Sequence, residues 1–396
     1  MCRLSRQILY LSFLAALIIG VLIGPCFAAQ TQPREIYHQV WMLVRDRYFD
    51  PNLNGVDWSS YEHKFDNRIK TVSDAKEYTS KMLAILDDPH TKVLEGKELA
   101  SIRAAAMPQR IVGIGINLKS VNGEPAVIKT VEESPADKAG IRVGDTLVAV
   151  DGKSCAGFTP EKVAEMIRGS DGEPVKLSVK RAGAKEVLEF GMKRAQIAIR
   201  AVGLIALPDN HGYINIASLK PIDASREFKA AVLKLSKVEG LIIDLRKSQG
   251  ENLPNALDIS DMLLSRGSMC TTTTRRGRHT DLASGNPLIR LPIVVLIDQE
   301  TSSSSEVLAG ALKDNSRATL VGKPTRGDGL HAEQFDLAED LTLVMATGLY
   351  STPGGTIINK NGIKPDIIVE NEPEKPLLES NQMKTAIEVL KKRIAK

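Results

Sequence analysis

The chain has 396 residues, more than one ordinary hydrophobic core organises, so two or three domains are expected. With 43% apolar and 25% charged residues, its composition is typical of a globular protein. Its 52 basic and 48 acidic residues are spread along the chain, and no basic block with interleaved aromatic residues occurs, so a nucleic-acid-binding protein is not indicated.

The first predicted element is an export signal. Arg3 and Arg6 precede an apolar run over residues 8–24, and Pro25, Cys26, Phe27 and Ala28 follow, an imperfect small-residue exit. This order predicts a secretory signal peptide at residues 1–28, cleaved after Ala28. The alternative is a retained anchor at a membrane, since the run approaches the length of a bilayer span. Both interpretations predict an exported protein of the periplasm or cell envelope, or of a compartment like the thylakoid lumen.

Cleavage would leave two cysteines, Cys155 and Cys270. They fall in segments of different predicted structure and neither has metal-ligand spacing, so they do not indicate a disulfide framework. Both are therefore predicted to be buried structural thiols.

Residues 29–107 are predicted to form a helical N-terminal region. One helical face carries the apolar residues Ile36, Val40, Val44 and Tyr48. The segment Leu86–Thr91 is predicted to be a turn, because a proline at position 89 disfavours a helical residue before it. His90 in this turn is interpreted as structural.

Residues 108–197 change to short β-rich runs separated by glycine turns. The runs richest in β-branched and apolar residues are Ala126–Val131, Thr146–Val150 and Val175–Val179. A helix is predicted between them, with Thr159 as N-cap, Pro160 in its first turn and Arg168 near its end.

In residues 198–372 predicted strands and helices alternate, which predicts an α/β core around a largely buried sheet. The predicted strands are Gly212–Ala217, Gly240–Leu245, Ile293–Ile297, Ala318–Val321 and Leu341–Thr347. The predicted helices are Ser225–Leu235, Leu253–Leu264 and Ser305–Asp314. A last amphipathic helix is predicted from Gln382 to Ile394, within residues 373–396.

The order and spacing of two motifs in the β-rich segment resemble a PDZ domain. The runs Val112–Ile116 and Glu133–Gly152 carry this resemblance. It implies that the backbone amides of a glycine-containing loop bind a peptide's terminal carboxylate, and that an extended peptide adds to the sheet beside a helix. The peptide-binding residues that it implies are Gly113, Ile114, Gly115, Ile116, Val163 and Ile167.

The chain from about residue 35 to its C-terminus resembles the carboxy-terminal processing peptidases. The stretches that carry this resemblance are Leu86–Thr91, Gly240–Arg246, Pro292–Asp298, Thr301–Leu312, Tyr350–Gly355 and Gly362–Ile367. It implies a serine peptidase with an α/β core of the ClpP/crotonase-like type, an inserted α+β PDZ domain and a helical N-terminal region. The implied partners are unfolded proteins or protein C-terminal peptides.

Members of this family use a serine nucleophile with a lysine as general base. Aligned on Glu306, the nucleophile position is Ser303, at the start of a predicted helix where free amides can stabilise an oxyanion. A capping box from Ser303 to Glu306 would explain the same residues structurally. Gly250 and Ser304 are the candidate oxyanion-hole amides.

The sequence departs from the family at the base. Asp328 stands at the lysine position and Ala332 at that of the supporting glutamine, while Gln249 and Glu251 replace a proline and a glycine beside Gly250. An aspartate does not substitute simply for a neutral lysine amine, and its charge opposes an oxyanion. His331 and Lys323 are the candidate substitutes, but their odd offsets from Asp328 are expected to point their side chains away from the base position.

These departures favour a peptidase homologue with a degenerate catalytic site, which binds protein C-termini with lost or strongly reduced proteolysis. Two alternatives remain: an active serine endopeptidase of the cell envelope that uses Ser303 with a non-standard base, and a structural protein with an idle PDZ fold. No cofactor or metal is indicated, because no cluster with ligand spacing and no phosphate-binding loop occurs. The oligomeric state is not predicted.

Overall fold

The structure is a computed structural model that describes residues 32–107, 110–235, 237–338, 340–370 and 375–395. The predicted signal segment, residues 1–28, lies outside the described residues. Within the described ranges, no helix is both long enough and apolar enough to cross a bilayer.

The N-terminal region is helical with one short strand. Its elements are α1 (Pro33–Arg47), α2 (Val72–Ala84), β1 (Lys92–Glu95) and α3 (Gly96–Ala106), with 3-10 helices at Leu53–Gly55 and Trp58–Tyr61. Ile36, Val40 and Val44 of α1 and Tyr48, the residue that ends the helix, are all fully buried, which confirms the predicted apolar face. The Thr71 hydroxyl accepts a hydrogen bond from the Asp74 N–H and caps α2. The strand β1 was not predicted from the sequence.

The β-rich segment forms a sheet with two short helices. Its elements are β2 (Arg110–Gly113), β3 (Ile116–Val121), β4 (Glu124–Thr130), α4 (Pro135–Ala139), β5 (Thr146–Val150), β6 (Lys153–Ser154), α5 (Pro160–Ile167), β7 (Pro174–Lys180), β8 (Leu188–Lys193) and β9 (Ala195–Ala198). The sheet order is β3-β4-β5-β7-β8, with β6 beside β5, while β2 pairs with β9. The Thr159 hydroxyl accepts the Lys162 N–H, so Thr159 is the N-cap of α5 as predicted.

The core is built from alternating strands and helices. They are β10 (Val202–Leu207), β11 (His211–Ile216), α6 (Ala224–Lys234), β12 (Gly240–Asp244), β13 (Gln249–Gly250), α7 (Leu253–Leu263), β14 (Ser268–Thr274), β15 (Gly277–Leu282), β16 (Ile293–Ile297), β17 (Ser302–Ser303), α8 (Ser304–Asp314), β18 (Ala318–Gly322), β19 (Leu330–Asp336), β20 (Leu341–Ser351), β21 (Ile367–Ile368) and α9 (Asn381–Ile394). A 3-10 helix, Leu377–Glu379, precedes α9.

The main sheet has the order β10-β11-β12-β16-β18-β21 and is parallel except at β10. Successive residues of its central strands face opposite layers, as the alternation of a strand requires. Leu241 and Ile243 pack in the core with α6, α7 and α8, while Ile242 packs against α9. Both faces are therefore covered, which explains why the central strands are continuous apolar runs.

The strand β20 does not join the main sheet, contrary to the simple alternation expected from sequence. It lies in a second, antiparallel sheet of order β1-β20-β14-β15, with β19 also paired to β20. Leu343 and Met345 of β20 are buried in a core shared with α1 and α2. The second sheet thus joins the N-terminal region to the core.

The two cysteines in the described chain, Cys155 and Cys270, are buried and unpaired, as predicted. Burial raises the pKa of the Cys270 thiol to about 12, so this thiol is protonated and unreactive at neutral pH.

Candidate active site

Ser303 lies where a two-residue strand runs directly into a helix. It is the N-cap of α8, and its φ of 57° and ψ of −124° are unusual for a residue with a side chain. Such a conformation costs on the order of 1–3 kcal/mol and persists where the surrounding structure enforces it, often at functional sites. The enforcing contact is the pairing of β17 with β13, which places Gly250 opposite Ser303.

Gly250, predicted to supply an oxyanion-hole amide, approaches Ser304 closely. A Cβ on Gly250 would lie 3.1 Å from Ser304 Oγ and 3.1 Å from Leu219 Cβ, so the site is crowded for any larger residue. Of the two neighbours predicted to depart from the family, Gln249 is exposed and Glu251 points to Lys220, 3.0 Å away. Gly250 between them is paired with Ser303.

The buried carboxylate of Glu306 ties the serine turn to the loop that carries Asp328. It accepts the backbone N–H groups of Ser303 at 2.9 Å, Gly327 at 2.7 Å and Asp328 at 2.8 Å, and the Thr325 hydroxyl. Burial raises the pKa of Glu306, and the hydrogen bonds oppose that rise. The sequence explanation of Glu306 as a capping residue accounts for only one of these bonds.

The side chain of Asp328 has a partner that was not predicted. Its Oδ1 lies 3.2 Å from Nε2 of His90, and the two side chains are 24% and 39% exposed. The hydrogen bond with Asp328 raises the pKa of His90 despite partial burial. His90, interpreted from sequence as structural, thus forms an ion pair with the residue predicted to stand at the position of the family's base.

The predicted strand-face alternation, by which His331 should point away from Asp328, does not apply in the structure. Asp328 precedes β19, which begins at Leu330, and a β-bulge separates His331 from Ala332. Offsets along the sequence therefore do not report which face each side chain occupies. Ala332 lies opposite Ala346 of β20 and is exposed.

His331 and Lys323 both have partners other than Ser303. His331 Nδ1 lies 3.0 Å from the Tyr350 hydroxyl, and burial lowers the pKa of this histidine. Lys323 Nζ donates to Glu370 at 2.7 Å. Neither contact prepares a base for the serine hydroxyl.

A cavity of about 440 Å³ opens beside His331. Its lining residues are Leu253, Thr272, Thr274, Arg276, Gly277, Arg278, His279, Asp281 and His331. Leu253 begins α7, three residues after Gly250, so the cavity adjoins the segment that carries the predicted oxyanion amide.

The predicted peptide-binding residues fall into two groups. Ile114, Val163 and Ile167 are buried in the core of the β-rich unit, whereas Ile116 is partly exposed at the start of β3. Gly115 has a φ of 84°, and a Cβ there would lie 2.3 Å from Ser134 Cβ, so only glycine fits. Gly113 ends β2.

The backbone around Gly115 offers N–H groups that could donate hydrogen bonds to a ligand. The carbonyl groups of Ile114 and Gly115 accept the amides of Ala136 and Val131. Among the described residues, neither amide N–H of Ile114 or Gly115 has an acceptor. β3 is an edge strand of the described sheet, with β4 on one side only, and α5 packs against it.

Comparisons with known proteins agree with this architecture. The profile of Peptidase family S41 matches residues 210–369, that of a PDZ domain matches 127–181, and that of the tricorn protease C1 domain matches 29–84. The carboxyl-terminal-processing protease of Picosynechococcus sp. is 32% identical over 370 residues, covering 90% of this chain and 88% of that protein. The chloroplastic C-terminal processing peptidase of Tetradesmus obliquus is 30% identical over 367 residues, covering 87% and 79%.

A solved structure shares the fold. The photosystem II D1 C-terminal processing protease is 28% identical, with a TM-score of 0.57, and the match covers 86% of this chain and 94% of that one. The fold is thus a mixed α/β peptidase core with a PDZ insertion and a helical N-terminal region, as predicted. From these matches, the chain belongs to the S41 family of carboxyl-terminal processing proteases and carries a PDZ domain.

Proposed function

We propose that this homologue binds protein C-termini through its PDZ domain and has lost most or all of its proteolytic activity. The observation that carries the proposal is that Asp328, at the expected position of the base, has partners for both its backbone and its side chain. Its backbone N–H donates to Glu306 and its carboxylate pairs with His90. Within the described part of the chain, no hydrogen bond links a lysine to Ser303.

Charge supports the same conclusion. A serine peptidase must stabilise an oxyanion as the tetrahedral intermediate forms, and a carboxylate at this place opposes that charge. Protonated His90 would offset the charge of Asp328, but a protonated imidazole cannot accept the serine proton. The chemistry of the pair is therefore unfavourable for acyl transfer below the raised pKa of His90.

Peptide binding is supported by the backbone of the PDZ domain. The unpartnered amides of Ile114 and Gly115 can donate to a terminal carboxylate, and the free edge of β3 can pair with an extended peptide beside α5. Main-chain hydrogen bonds would supply affinity, and the partly exposed Ile116 would contact the last side chains of the peptide.

This binding is tested with fluorescent peptides. We expect a peptide with a free C-terminal carboxylate to bind at least tenfold more tightly than the same peptide amidated at its C-terminus, because only the former meets the loop amides. Gly115→Ala should abolish the difference, since its Cβ collides with Ser134. Fluorescence anisotropy measures both.

The matched control is Gly123→Ala. Gly123 also has a positive φ, 81°, but no atom lies within 4 Å of an added Cβ. It should lose some stability and keep peptide affinity. Equal affinity for the free and amidated peptides in wild type would refute carboxylate recognition and favour an idle PDZ fold.

A second candidate, an active serine endopeptidase, is favoured by the His90–Asp328 pair. A carboxylate that orients an imidazole is the usual support of a histidine base, and His90 would then act on Ser303 once deprotonated. Its activity would rise with pH through the raised pKa of His90. His90→Ala would abolish such activity.

The pair itself can be tested by titration. In Asp328→Asn we expect the pKa of His90 to fall towards its ordinary value of about 6.5, because the main cause of the rise is removed. Since the folded-state pKa is raised, the pair stabilises the fold below about pH 6.5 and loses this effect as pH rises through the folded pKa. NMR titration of the histidine ring protons measures it.

Asp281→Asn is the control, because it removes the carboxylate partner of the exposed His279 and should leave the His90 titration unchanged. An unchanged His90 pKa in Asp328→Asn would show that the ion pair does not persist in solution.

We also propose that the protein works outside the cytoplasm. The predicted signal segment supports export, and relatives from Tetradesmus obliquus and Arabidopsis thaliana are named as chloroplastic. Fractionation of cells that express a tagged full chain would test it, and recovery in the cytosol would contradict it.

A further inference from the structure

We propose that His38, His63 and Asp66 form a binding site for a divalent transition-metal ion of the zinc class. The three residues lie in the N-terminal region, and none of them is among the residues considered for the peptidase site. Their candidate ligand atoms all lie within 4.8 Å of one another. This is the one such cluster of three or more potential ligands found in the described chain.

The geometry is close to that of a metal site. His38 Nε2 lies 3.2 Å from Asp66 Oδ1, and His63 Nδ1 lies 3.0 Å from Asp66 Oδ2. Tetrahedral zinc with bonds of about 2.0–2.1 Å holds its ligand atoms roughly 3.3 Å apart. The two imidazole rings are tilted, with centroids 5.0 Å apart, so small rotations would turn both nitrogens to a common ion.

One oxygen of the cluster lacks a proper partner. Asp66 Oδ1 is shielded from solvent and has no hydrogen bond among the described residues. Its 3.2 Å contact with His38 Nε2 meets the distance of an ion pair, but its direction is not that of a hydrogen bond. A metal ion between the two atoms would satisfy both the buried oxygen and the imidazole nitrogen.

The ligands are held by packed elements. His38 lies on α1 beside the buried Tyr37, whose hydroxyl bonds to the Tyr61 carbonyl and whose ring packs edge-on against Phe65 at 6.1 Å. His63 and Asp66 lie in the turn that contains Phe65 and are joined by a bond from the Asp66 amide to the His63 carbonyl. The aromatic contacts therefore fix the distance between helix and turn before any ion binds.

The ligand types select the ion. Two imidazoles and one carboxylate suit zinc and its neighbours, whereas Mg²⁺ and Ca²⁺ prefer oxygen ligands alone. His63 is 71% exposed, so an ion can enter from solvent and keep water in a remaining position. The ion would clip α1 to the turn across 24 intervening residues, since His38 and His63 stand at those positions in the sequence.

The test is zinc titration of the untagged full chain in competition with a chromophoric chelator. We expect one equivalent to bind, and His38→Ala, His63→Ala and Asp66→Asn each to weaken binding at least tenfold. His279→Ala is the matched control, because His279 also lies 3.2 Å from an aspartate but belongs to no cluster of three potential ligands in the described residues. It should bind zinc as wild type does.

Substitution with Co²⁺ gives an independent readout, because visible absorption bands should appear in wild type and be lost in His63→Ala. The high exposure of His63 makes this variant safe for folding, which circular dichroism would verify. No zinc binding by wild type, unchanged binding in His63→Ala, or equally tight binding of Mg²⁺ would each overturn the proposal.

Discussion

Wild-type protein is expected to cleave an unstructured substrate no faster than its Ser303→Ala variant does. General-base catalysis contributes about 10²- to 10⁴-fold, and we expect Asp328 paired with His90 to supply none while His90 is protonated. Asp328→Lys, alone and with Ala332→Gln, should gain cleavage that requires Ser303, because the strained serine turn and the approach of Gly250 are intact. Mass spectrometry of the products measures the rates.

The matched control is Asp336→Lys, which makes the same charge change at an exposed position of β19. It should stay inactive. Cleavage by wild type that is lost in both Ser303→Ala and His90→Ala would refute the loss of activity and identify His90 as the base. If both lysine variants stay silent while peptide binding persists, the altered segment around Gly250 becomes the next cause to test.

Glu306→Ala is expected to lower the free energy of unfolding by about 3–5 kcal/mol, among the largest effects of any single substitution here. The substitution leaves three backbone N–H groups and one hydroxyl without their shared acceptor, and Glu306 is fully buried. The stability of Glu306→Gln should lie between those of wild type and Glu306→Ala. Its Oε1 can still accept hydrogen bonds, but an NH₂ group replaces the oxygen that accepts from Ser303 and Asp328. Urea unfolding measures the loss.

Glu388→Ala on α9 is the control, because its side chain is exposed and such a change usually stays within about 0.5 kcal/mol. A loss below about 1 kcal/mol in Glu306→Ala would show that water or a shifted loop replaces the carboxylate. The network would then be dispensable for the fold.

Much of the architecture follows from local sequence. The apolar runs that became β12 and β16, the N-cap at Thr159 and the buried face of α1 were all visible in periodicity and capping patterns. These features depend on residues within a few positions of one another, so they can be predicted without knowledge of the fold. The family and its PDZ domain followed from ordered motifs.

The candidate sites were only partly visible in the sequence. Ser303 and Gly250 were proposed from motifs, and their roles stay predictions, but the structure brings them side by side through β13 and β17. The counting of strand faces at His331 did not hold, because a bulge and the late start of β19 break the two-residue repeat. Glu306 was predicted as a capping residue, and in the structure its carboxylate accepts four hydrogen bonds.

The sequence by itself determined the family, the order of the domains and most elements of the main sheet. Only the tertiary structure decided that His90 meets Asp328, that β20 leaves the main sheet, and that His38, His63 and Asp66 converge. The N-terminal helices pack on an antiparallel sheet that also carries β19, and this packing brings the turn with His90 against the loop with Asp328. Such contacts depend on the packing of elements that are far apart in the sequence, and no local pattern of residues determines that packing.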